Sequence, residues 1–195
     1  MVVLVHGIAT PRWVLKRMAA RLELFGFRAV PWFYPSLFKG IEHHAEGLRR
    51  FIVKTFHESG PIHVVAHSMG CIASMCSIAE LPHEAVGRIV WIAPPIRGSP
   101  IARFLAPWFG RLCPPISQLS SSEGSWVNRL DLKIKQEVGI ISGSLDGLVP
   151  LPYTVYDGKE IRLSLFASHN SLLFSDRVTA EIASFLSTGA FQKGS

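Results

Sequence analysis

The sequence predicts an α/β fold, a mostly parallel sheet of about six strands with helices on both faces. Three observations carry that expectation. Short runs rich in valine and isoleucine recur along the chain, bounded by glycine or proline. Helical periods stand between them. The runs are apolar on both faces, as strands sandwiched between helical layers must be. With 195 residues the chain has room for one domain, 1–195, and a domain near this length buries roughly 70% of its unfolded surface.

The strand runs are Val2–Val5, Phe27–Trp32, Ile62–Ala66, Arg88–Ile92, Glu137–Ser142 and Ile161–Phe166. A first helical stripe is Val14, Met18, Leu22 and Phe25, entered through Thr10-Pro11 as cap and first-turn proline and left at Gly26. Ile41, Ala45, Leu48 and Ile52 make a second stripe. Met69 to Glu80 is apolar nearly all round, as suits a buried helix, and Pro82 follows it. Val178, Ile182, Phe185 and Leu186 make the last, between Ser175 and Gly189. Residues 93–130 break this rhythm with six prolines and a serine cluster. They read as irregular or short helical pieces over one end of the sheet, a minimal, partial cap.

Composition excludes several classes. Hydrophobic residues at 48% against 17% charged rule out a disordered chain or a coiled coil. The net charge is +6, but the basic residues are scattered and no reader motif is present, so nucleic acid is not an expected partner. Cys71, Cys76 and Cys113 are odd in number and fit no zinc spacing. Cys71 and Cys76 stand about 140° apart around one helix, poor geometry for a bridge. The expectation is a reducing, cytoplasmic setting with no metal and no cofactor. No apolar run reaches the roughly 18 residues that span a bilayer, so membrane contact is expected only as a transient surface encounter.

The strongest local signal is Val64-Val65-Ala66-His67-Ser68-Met69-Gly70. A strand runs into small-x-Ser-x-Gly and then a helix, the pattern of a nucleophile elbow with alanine at its first small position. The turn brings the flanking Cα atoms against neighbouring backbone, so those positions must be small. A serine nucleophile needs a base, and the base needs an acid that holds its tautomer. Of eight histidines, only His169 stands beyond the carboxyl end of a strand with a free loop. His67 is expected to point away from Ser68, as an adjacent side chain does. Of four aspartates, Asp146 follows a strand, whereas Asp157 precedes one and so lies at the opposite sheet edge. Ile8, Ser68, Asp146 and His169 therefore share the edge where open α/β sheets place their sites. The order Ser, Asp, His is that of the α/β-hydrolase fold.

The chain resembles small α/β-hydrolases of the lipase/esterase type. The likeness to minimal, lid-less bacterial lipases is carried by Val5-His6-Gly7-Ile8 and by Ala66-His67-Ser68-Met69-Gly70. It is also similar to small bacterial hydrolases related to the GPI-inositol-deacylase-like lipases. Those matches include Pro31–Ser36 with its Tyr34-Pro35-Ser36, Pro94–Ser99, Asp146–Val149 and the His169…Phe185-Leu186…Gly189…Phe191 ending. It departs in two places. Cys71 stands where a second glycine is common, and the usual first two sheet strands are missing before Val2.

The resemblance implies a serine esterase or lipase acting on a small-molecule or lipid ester. Ser68 would attack, His169 would be the base and Asp146 the acid, with the backbone N–H groups of Ile8 and Met69 as oxyanion donors and His6 structural. Acyl transfer would use the same residues, and a catalytically silent binding module is the rival from another class. Trp13, Phe104, Trp108, Leu148, Val149 and Leu172 are expected around the substrate. The aromatics after residue 100 either wall an open acyl groove or pack as core beneath the long loop.

The edge argument separates the two Asp-Gly pairs. Asp146→Asn is expected to lower kcat on a chromogenic ester by ~10⁴, the scale of a lost triad acid. Asp157→Asn should leave kcat within a few-fold. The opposite ranking would show that the strands near the C-terminus are wrongly placed.

Overall fold

The computed structural model describes residues 1–192. Six parallel strands form one sheet in the order β2-β1-β3-β4-β5-β6. They are β1 (Val2–Val5), β2 (Ala29–Trp32), β3 (Ile62–His67), β4 (Val86–Ile92), β5 (Val138–Gly143) and β6 (Glu160–Leu165). The helices are α1 (Arg12–Leu24), α2 (Ile41–Ser59), α3 (Met69–Ala79), α4 (Pro100–Phe109), α5 (Pro114–Gln118) and α6 (Asp176–Thr188). One apolar layer joins α2 and α3 to the sheet through Ile41, Leu48, Ile52 and Ile72. The other joins α1 and α6 to the opposite face through Leu15, Met18, Ile182 and Phe185. The helices thus cover both faces, as the apolar strands require. No helix among the described residues is long and apolar enough to cross a membrane.

Three local expectations are corrected. The N-cap of α1 is Pro11, not Thr10, and no side chain caps it. Phe25 lies beyond the helix and is 51% exposed, so the stripe ends at Leu22. β6 is an edge strand with several exposed residues, Ile161 among them, and is not buried on both faces. Residues 93–130 hold two short helices, α4 and α5. Ser99 caps α4 by accepting from the Ala102 N–H at 3.3 Å, and Pro100 occupies its first turn. By contrast, α6 begins and ends as read, with Ser175 accepting from the Val178 N–H and Gly189 in the left-handed region.

The topology itself positions a site. From β1 the chain steps to β2 on one side. From β2 it returns past β1 to β3 and then proceeds outward on the other side. The loops leaving β1 and β3, which are neighbours in register with Val5 opposite Ala66, diverge to opposite faces and leave a crevice at their carboxyl ends.

Candidate active site

The turn after β3 is the tightest element of that crevice. Its Ser68 N–H donates to the Ile92 carbonyl at 2.9 Å, which extends the sheet by one residue before the chain reverses into α3. Ser68 sits at φ 53°, ψ −127°, a region L-residues avoid and that costs ~1–3 kcal/mol. Close packing holds it there. A Cβ on Gly70 would come within 2.5 Å of the His6 carbonyl oxygen, and one on Gly7 within 2.9 Å of Ser68 Cβ. Both glycines are therefore dictated by contact rather than flexibility. Cys71 is accommodated because its side chain turns inward, Sγ lying 3.2 Å from the Ala66 carbonyl it donates to. Ser68 heads an eleven-residue helix, whose partial positive end suits developing negative charge.

The loop after β1 is held by residues nearly thirty positions away. Tyr34 Oη donates to the His6 carbonyl at 2.6 Å, and the Tyr34 N–H donates to His6 Nε2 at 3.3 Å. His6 Nδ1 therefore carries the proton, donated to the Gly7 carbonyl at 2.7 Å. Burial lowers the His6 pKa, in the same sense as an Nε2 that accepts a hydrogen bond. Burial likewise raises the Tyr34 pKa, preserving its proton. The two rings stack at 4.2 Å. Further along, Ser36 Oγ accepts from the Ala9 N–H at 3.0 Å, holding Ala9 at φ 52°. Tyr34-Pro35-Ser36 thus acts as a clamp on the His6–Ala9 loop.

Asp146 and His169 arrive from the loops after β5 and β6. The Asp146 carboxylate is fully occupied. Oδ1 accepts from the N–H groups of Leu148 at 2.9 Å and Val149 at 2.8 Å, and Oδ2 accepts from His169 Nδ1 at 2.7 Å. The Asp146 side chain is 0% exposed and that of His169 8%. With Nδ1 donating, Nε2 of His169 is left as the acceptor. Asp157 is exposed and pairs with Arg97 at 3.1 Å. Among the described residues, no group of three His, Cys, Asp or Glu is placed to hold a metal ion.

Ser68 and His169 meet as walls of one cavity of about 280 Å³. Among the described residues no hydrogen bond joins the Ser68 hydroxyl to the imidazole; such bonds are commonly long before substrate binds. Ile8 also lines the cavity, as do Leu148 and Val149. Met69 is completely buried at the start of α3. Trp13, Phe104, Trp108 and Leu172 do not line it. Trp13 packs on Phe174 at 5.6 Å and stays 56% exposed, while Leu172 is buried in the α1/α6 layer. Phe104 and Trp108 face outward, neither walling the groove nor packing as core. The wall from α4 is instead Ile101, Ala102 and Leu105, with Ile116 and Leu119 behind. At about 100° per residue Phe104 stands about 160° from Ala102, whereas Trp108 shares a side with Ile101, so the helical period alone turns Phe104 outward but not Trp108.

His67 is the residue whose placement differs most from expectation. Instead of pointing away, it lines the same cavity, its ring 4.7 Å from that of His169. Nε2 donates to the His169 carbonyl at 3.3 Å, and Nδ1 is buried with no partner among the described residues. Burial, reinforced by the neighbouring His169, pushes its pKa down to about 3. An unfolded histidine takes a proton near ~6.5, so the unfolded chain binds more protons between these values. Stability is then lost as the pH falls from ~6.5 towards about 3. His67→Gln keeps a donor but does not titrate, and its unfolding midpoint in urea should fall less steeply with acid. His6, His44 and His63, also lowered by burial, retain the rest of the slope. An unchanged slope would mean that the ring is solvated.

No protein-family model and no curated protein sequence matches the chain. Solved structures do. Lipase BlEst2 of Bacillus licheniformis in its propeptide form aligns with 100% of this chain at 16% identity and a TM-score of 0.78. Lipase B of Aspergillus fumigatus aligns with 98% at 17% identity and 0.79. The chain spans 51% and 53% of those two proteins, about half their length. The Pyrococcus furiosus esterase Pf2001 aligns over 95% of this chain and 81% of its own, at 19% identity and 0.65. At such identities the likeness is one of architecture, and with the six-stranded parallel sheet it establishes that this chain has the α/β-hydrolase fold.

Proposed function

We propose that the chain is a serine hydrolase that cleaves carboxylic esters through an acyl-enzyme. The observation that carries this reading is the buried 2.7 Å contact of Asp146 Oδ2 with Nδ1 of His169, a histidine that lines the same cavity as a positive-φ serine. The lipases and esterases that share the architecture support it.

In this mechanism Ser68 Oγ attacks the ester carbonyl and His169 Nε2 takes its proton. The carbonyl oxygen becomes an oxyanion, held by the backbone N–H groups of Ile8 and Met69. Such donors are preorganised and cost no reorganisation in the transition state. The imidazolium then protonates the departing alkoxide, which leaves as the alcohol. Asp146, pinned by two backbone N–H groups, stabilises the imidazolium and fixes the ring without itself taking the proton. Water, deprotonated by the same nitrogen, attacks the acyl-enzyme and releases the acid and Ser68. The mainly aliphatic walls from Ile101, Leu105, Leu148 and Val149 suit an uncharged acyl chain.

Ser68→Ala should abolish hydrolysis of p-nitrophenyl esters and labelling by a fluorophosphonate, with the circular dichroism spectrum unchanged. Across an ester series, kcat/KM should rise up to fourfold per methylene, ~0.8 kcal/mol each, until the cavity is filled. Persistent labelling of the variant would defeat the assignment. A kcat/KM that falls steadily from acetate upward would defeat the acyl-chain reading alone.

A further inference from the structure

We propose that the outer face of α4 docks on the surface of an anionic phospholipid bilayer. Although rich in large apolar residues, this helix has no buried residue. At about 100° per residue, Ala102, Leu105 and Ala106 fall on its inner side, where they are half-buried. The outer side carries Phe104 and Trp108, 65% and 62% exposed, their rings 5.1 Å apart. Leu112, just past the helix, is 75% exposed. These side chains add nothing to the folded core, so their exposure is a standing cost unless something covers them.

The charges identify what covers them. Arg103 and Arg111 are exposed and take no part in the ion pairs found among the described residues. No acidic residue occurs between Arg97 and Glu123. A second copy meeting this face by the same face would set arginine against arginine. An acidic headgroup layer pairs with them instead, while tryptophan and phenylalanine enter the acyl boundary, as on helices that lie in a membrane interface. The inner side of α4 walls the cavity, so the docked surface would lie one helix away from it. The docking itself does not depend on the proposed chemistry.

The test is co-sedimentation of the full chain with vesicles of phosphatidylcholine alone, or mixed with an equal part of phosphatidylglycerol. Binding is expected to the mixed vesicles, to weaken with added salt, and to be slight on phosphatidylcholine alone. One exposed arginine near such a surface is worth about fivefold in partitioning, so Arg103→Gln with Arg111→Gln should lower it ~25-fold. Phe104→Ser with Trp108→Ser should lower it at least tenfold. Circular dichroism checks both variants, and the arginine pair alone decides if the aromatic pair fails to fold. Ser68→Ala should bind as the parent does, which keeps this proposal separable from the catalytic one. Equal binding to neutral vesicles, or undiminished binding by the arginine variant, would overturn it. So would a dimer in sedimentation velocity that the aromatic variant dissociates, since the face would then belong to a second copy.

Discussion

The reversal of the chain at Ser68 is the constraint to which the rest of this edge of the sheet conforms. A residue at φ 53° persists only when its surroundings overdetermine it. Here β1 and β4 hold it from both sides, through Gly7 against Ser68 Cβ and through the Ile92 carbonyl on the Ser68 N–H. That closeness makes Gly7 and Gly70 obligatory and turns Cys71 inward. The β1 loop beside it has the local His6–Gly7 bond and is tied further by the Tyr34–Ser36 clamp.

The far side of the crevice is arranged by a different economy. One carboxylate, Asp146, satisfies two backbone N–H groups of its own loop and the imidazole of the next. Desolvating that charge is tolerable because every bond it makes is to a donor. The loop is further tied to the segment that carries α4 and α5, since Ser99 Oγ donates to the Leu148 carbonyl at 2.6 Å. Ser99, the N-cap of α4, thereby couples the helix that walls the cavity to the loop that holds His169. That segment is anchored at its other end as well. Gln118 Oε1 accepts from the Ile41 N–H at 2.7 Å, serving the start of α2 from 77 residues away.

Much of this was legible in the sequence, for identifiable reasons. Parallel strands announce themselves as short apolar runs, and residues just past their carboxyl ends must share an edge. Ser68, Asp146 and His169 could therefore be placed together before any coordinates, and Asp157 set apart. What could not be read were contacts between distant segments. Nothing local says that Tyr34 and Ser36 hold the β1 loop, or that Gln118 serves α2. Alternation along β3 puts Val64 and Ala66 in one layer and Val65 in the other, so it sends His67 to Val65's side; that His169 stands there is again a contact between distant segments. A helix starting at Ser99-Pro100 accounts for the outward turn of Phe104, but not for that of Trp108, which shares a side with the cavity-lining Ile101.

The proposed mechanism requires that Ser68 be acylated during turnover. Mass spectrometry of the protein, quenched during reaction with a slowly deacylating ester, reads this step. An added acyl mass is expected on the peptide containing Ser68, formed and lost at rates matching turnover. An acyl group on another residue, or steady hydrolysis with no adduct on a kinetically competent timescale, would contradict it.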